Sequence, residues 1–134
     1  MRLLSTFTLA ATLALLAGCE PKSEITGPTV TQFSGKVVID GKPVAIKSGD
    51  RVVLFLIDKM GQSYGIPVNA DATFSVGKMP ISKYSVQVRV DPAPVTSEKG
   101  SRAAPQRVTN VPAGFEIVEG QTEYTVELGK GFKL

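Results

Sequence analysis

The sequence predicts an all-β protein: an antiparallel, Greek-key-type β-sandwich of about seven strands. Three observations lead there. From Val30 onward apolar and polar residues alternate with a period of two, the repeat of a strand with one buried face. Turn residues, mainly Gly, Asp and Asn, separate these short runs. After residue 19 no stretch of useful length carries a helical period.

The first segment is different. Met1-Arg2 makes a positive end, and Leu3 to Ala17 follows without a charge. About 15 apolar and small residues fall short of the roughly 20 that a membrane-spanning helix needs. A positive end, a short apolar middle and small residues at its close are the features of a secretory signal peptide, here residues 1–18. The alternative, a buried N-terminal helix with Cys19 as a small hydrophobe, does not explain the abrupt change of composition that follows. Leu16-Ala17-Gly18-Cys19 also resembles the lipobox of bacterial lipoproteins. The resemblance implies diacylglyceryl transfer to the Cys19 thiol, cleavage before Cys19 and acylation of the new amine. Two or three acyl chains hold a protein on a membrane where one is marginal. Cys19, the only cysteine, is then consumed as a thioether, which suits an oxidising exterior compartment. The expected localisation is export and anchorage to a bacterial membrane, inner or outer.

Residues 20–29 are polar, with two prolines and a glycine, and read as a tether. The lipidated N-terminus and linker are placed at 19–32, and the folded domain at 33–134. Phe33 to Ile39, "FSGKVVI", is the first strand, closed by Asp40-Gly41, the dipeptide that favours a tight hairpin turn. Lys42 to Ile46 contains Pro43 and should be an edge or irregular return. "RVVLFLI", Arg51 to Ile57, is the most apolar strand. Tyr64 to Val68 contains Pro67. Asn69 to Ala72 is an Asx-rich turn leading into Thr73 to Val76. "YSVQVRV", Tyr84 to Val90, alternates most cleanly, and Phe115 to Val118 and Glu123 to Leu128 repeat the pattern.

Composition narrows the chemistry. The chain has 134 residues, 15 Lys plus Arg, 12 Asp plus Glu, and no His or Trp. Loss of residues 1–18 removes only Arg2, leaving 14 basic against 12 acidic residues, a formal +2. That is too little for nucleic-acid binding by charge, which needs a concentrated basic stripe. Without histidine there is no ordinary general base near neutral pH and no imidazole metal ligand. With one cysteine there is no disulfide framework and no thiolate zinc site. No cofactor, metal site or catalytic residue is expected, and nothing in the chain reads as an enzyme.

"SGKVVIDGKPV", an apolar strand, "NADATFSV" and "MPISKYSVQV", in that order, resemble the carboxypeptidase regulatory-like domain of the transthyretin-like (prealbumin-like) group. The resemblance covers residues 33 to 128 and implies a β-sandwich. Small bacterial lipoproteins often carry such a domain behind a lipobox. The family commonly has Gly where this chain has Ala72, which implies a strained positive φ there. It also commonly has Pro-Gly where Ile81-Ser82 stands. The hydroxyisourate hydrolase branch works with histidines and a C-terminal Tyr-Arg-Gly-Ser. This chain has neither, so that activity is not carried over.

Three features have two readings each. Both faces of "RVVLFLI" are apolar, Val53, Phe55 and Ile57 on one and Val52, Leu54 and Leu56 on the other. Either a neighbouring segment covers the second face, or it docks a partner or second copy. Asp91 to Thr109 is long for a sandwich connection. It is either a solvated loop or a site where Lys99, Arg102 and Arg107 meet an anionic partner such as a lipid headgroup or acidic glycan. Asp40, Asp58, Asn69, Asp71 and Asp91 lie in turns without the ligand spacing of a calcium loop, and turn chemistry explains them. The expectation is a lipid-anchored, exported, non-catalytic binding or structural module of the cell envelope. It contacts the membrane through lipid on Cys19, with an envelope protein or anionic glycan as candidate partner. The second expectation is an accessory subunit of a larger envelope assembly, using the apolar strand face or an open edge.

Overall fold

The computed structural model describes residues 25–97, 100–102 and 104–134, and these residues are all-β with no helix. Twelve β-segments run in chain order: β1 (Thr29–Val30), β2 (Phe33–Ile39), β3 (Lys42–Pro43), β4 (Arg51–Ile57), β5 (Ser63–Val68), β6 (Thr73–Val76), β7 (Met79–Pro80), β8 (Lys83–Asp91), β9 (Val95–Ser97), β10 (Gly100–Arg102), β11 (Arg107–Glu116) and β12 (Glu123–Glu127). Seven of them are four residues or longer, in line with the expected sandwich. One sheet has the order β11-β8-β4-β5 and is antiparallel throughout. In the other, β2 lies between β12 and the pair β6 and β3. The pair β12–β2 is parallel, the one departure from antiparallel pairing among the described strands.

Local chemistry explains why these segments form. Asp40 and Gly41 have φ of 52° and 74°, so the β2–β3 hairpin turns through two left-handed residues. That combination is the type I′ turn that Asp-Gly accommodates best. Ala72 also has positive φ, 66°, as the resemblance implies. Its methyl group is fully buried in the core, which compensates the left-handed strain. The turn before it closes through Asn69 N–H to Thr73 O (2.8 Å) and Ala72 N–H to Asn69 O (2.9 Å). Pro67 sits in β5, an edge strand, where its missing N–H leaves no inner ladder bond unmade.

The chain enters at one end of the sandwich and elaborates the other. At the entry end Ile81 N–H donates to Pro28 O (2.9 Å) and Ile117 N–H to Ser82 O (3.0 Å), tying three connections together. Strand register places the Asp58–Gln62 turn at this same end, since Ile57 pairs with both Ser85 and Ser63. The core here is aromatic. The Phe33 ring lies 5.1 Å from Phe74, 4.9 Å from Tyr124 and 5.9 Å from Phe115, joining the two sheets. Gly35 makes room for this cluster: a Cβ there would run into the Tyr124 carbonyl and come within 2.9 Å of the Phe74 ring. Toward the far end the core is aliphatic, with Val37, Val44, Val52, Val88, Val90, Val126 and Leu128 buried.

Three boundaries differ from the sequence expectation. The fold starts at Thr29–Val30, which pair with Pro80 and Met79, so the linker placed at 19–32 ends before residue 29. Val30 is buried, and a two-residue bridge is too short to show as alternation. Of the strand expected at Phe115 to Val118, only Phe115 and Glu116 form strand, as the end of the longer β11, whose pairing breaks register between Val111 and Phe115. Pro112, Ala113 and Gly114 at that bulge erase the period-two signal. Finally, Asp91 to Thr109 is not one open loop, because β8 runs to Asp91, β9 and β10 pair, and β11 begins at Arg107.

Candidate functional site

Cys19 and Lys99 lie outside the described residues. The backbone of Arg102 closes the β9–β10 hairpin opposite Val95. Arg107 opens β11 opposite Val90 and is exposed. The base of this region is well tied. Asp50 accepts from Ala93 N–H (3.0 Å), and Asp91 accepts from the Gln106 amide (2.6 Å) and pairs with Arg89 (3.3 Å).

Turn chemistry accounts for the scattered acids. Asp58 Oδ1 accepts from Met60 N–H (2.8 Å) and Gln62 N–H (2.9 Å). Asp71 Oδ1 accepts from the Thr73 hydroxyl (2.6 Å) and Thr73 N–H (3.1 Å). The Thr73 hydroxyl bond, reinforced by that N–H, holds the Asp71 carboxyl below the usual range. Sequence reasoning misses Glu127, at the far end. Its carboxylate accepts from Asp40 N–H (2.8 Å), Gly41 N–H (3.2 Å) and Gly129 N–H (3.2 Å). These bonds, Asp40's first, hold its carboxyl below the ordinary glutamate value. No signal in the sequence marks it, because Asp40 and Gly41 are 87 and 86 residues away. Carboxylates kept ionised by backbone donors fix loops and make poor proton donors.

Tyrosines at the entry end do the corresponding work. The Tyr84 hydroxyl donates to Pro80 O (2.6 Å) and the Tyr124 hydroxyl to Val118 O (3.0 Å). Both follow the corner arrangement of Greek-key sandwiches, in which a buried phenol bonds to backbone a few residues upstream. Burial pushes the Tyr84 phenol up to about 12, with smaller contributions from Tyr64 and Asp58.

The second face of β4 is covered by its own neighbours. Val52, Leu54 and Leu56 belong to the core, while Val53, Phe55 and Ile57 point outward. The Arg89 guanidinium lies 5.2 Å from the Phe55 ring centroid, and the same ring lies across Gly65. Val53 is left only 6% exposed. A charge at Leu54 therefore tests folding, and only a charge at the outward positions tests docking. A groove of about 560 Å³ crosses β12, β2 and β6, lined by Ser34, Gly35, Lys36, Thr73, Phe74, Glu123, Tyr124 and Thr125. A smaller one of about 230 Å³ lies at the entry end between Thr29–Gln32 and Glu119–Thr122. Comparisons of the chain with protein-family models, with curated proteins and with solved structures find no match.

Proposed function

We propose that the protein is a lipid-anchored, exported, non-catalytic binding or structural module of the bacterial cell envelope, of the carboxypeptidase regulatory-like kind. One observation carries the reading. The folded domain begins at Thr29–Val30, at one end of the sandwich, with only Glu20 to Pro28 between it and Cys19. That segment reaches at most about 30 Å. A lipid on Cys19 holds that end near the bilayer and presents the opposite end, with its β9–β10 hairpin and Arg107, to the surroundings. The held carboxylates and buried phenols support a scaffold rather than proton-transfer chemistry.

Cys19→Ala tests the anchor in the producing cells. Lipid labelling should stop, and the protein should be released or mislocalised. Unchanged membrane retention would overturn the reading. Crosslinking of the anchored protein, with captured species identified by mass spectrometry, then separates a glycan-binding module from an assembly subunit.

A further inference from the structure

We infer that the entry end docks on the membrane that carries the anchor, with Met60 as the side chain that enters the interface. The inference rests on the anchored reading above. It is carried by the placement of exposed apolar side chains. Among the described residues three large hydrophobics are exposed: Met60 at 94%, Val108 at 56% and Val118 at 38%. Met60 and Val118 both lie at the entry end, one in the turn between β4 and β5 and the other just after β11. Val108 lies toward the far end of β11, opposite Arg89.

The turn holds Met60 outward. Asp58 accepts from the backbone N–H of Met60 and Gln62 through its carboxylate and from Gly61 N–H (3.0 Å) through its carbonyl. Asp58 N–H in turn donates to Gln62 O (3.0 Å), closing the loop at its neck. An apolar side chain fixed in water at a rigid tip gains nothing from the fold, whereas an acyl boundary within tether reach removes it from water. Charge does not supply the attraction. Lys59, Lys78 and Lys83 at this end face Asp58, Glu116, Glu119 and Glu123, a formal −1, so added salt should not weaken the contact. The lysine stems can lie along the boundary with their ammonium groups in water.

A lone methionine would not bind a free domain to a membrane. On a tethered domain the contact is intramolecular and only has to bias orientation. Burying one methionine corresponds to roughly ten- to hundredfold in favour of the docked orientation.

The chain has no tryptophan, so Met60→Trp introduces a single reporter. The acylated protein is placed in vesicles of equal parts phosphatidylethanolamine and phosphatidylglycerol, brominated in the upper acyl chain. Lys130→Trp, at the exposed far end, serves as the comparison. The reporter at position 60 should be blue-shifted and quenched several-fold more than that at 130, and no less at high salt than at low. A reporter at 60 that stays in water, or matches that at 130, in protein that floats with the vesicles overturns this inference alone. Protein that carries no lipid and does not float overturns the anchored reading, and this inference with it.

Discussion

The two ends of the sandwich are closed by different chemistry. At the entry end, buried phenols donate to backbone carbonyls over an aromatic core. At the far end, the exposed Glu127 carboxylate accepts three backbone N–H bonds over an aliphatic core. Each end has turns or connections whose backbone groups need partners. A phenol supplies a donor and is neutral, so it can be buried. A carboxylate supplies acceptors and is charged, so it stays in water. The ends should therefore fail under opposite conditions, one in alkali and the other in acid.

The largest effect tests the aromatic end. Phe33 is fully buried and touches three other rings, so Phe33→Ala should cost about 3–5 kcal/mol, measured by chemical denaturation. A loss no larger than that of a single valine would show that the cluster is loosely packed. A smaller loss, about 0.5–1.5 kcal/mol, is expected for Tyr84→Phe at neutral pH. Its pH dependence is more telling. The folded phenol titrates at about 12 against an ordinary 10.0, so its stabilising contribution is complete below the ordinary value. It is lost as pH rises through the folded one. The gap between parent and Tyr84→Phe should close over that alkaline range, and a gap independent of pH would break the contrast.

Glu127→Gln should give the smallest change, with the opposite sign of pH dependence. The folded carboxyl lies below the ordinary glutamate value, so its contribution is present above that value. It is lost as pH falls through the folded one. Parent and variant should converge in acid and separate at neutral pH in thermal melts. Convergence in alkali instead would place the effect elsewhere.

How much of this arrangement is legible in the sequence depends on range. The Asp40-Gly41 turn, the Asx turn before Thr73 and the alternation of β8 are local, so the chain carries them openly. Ala72 is legible as a strained position, but the burial of its methyl is not. In β4 both faces alternate equally well, so packing settles that Leu54 goes in and Phe55 goes out under Arg89. Of the candidate binding residues, Arg107 is exposed on the first rung of β11, whereas the length of Asp91 to Thr109 suggests a solvated loop.

Local chemistry is enough for the all-β class, for the short-turn residues and for the apolar segment ending at Cys19. Each depends on neighbours a few residues apart, whose preferences survive without the rest of the fold. Other features exist only once the sheets assemble. β12 runs parallel beside β2, Glu127 reaches back to Asp40, and the chain enters by pairing Thr29 with Pro80. The partners in these contacts are distant along the chain, so closing each loop costs entropy that only the assembled core offsets. No run of adjacent residues can encode such a contact, because neither partner prefers the other until both sheets are in place.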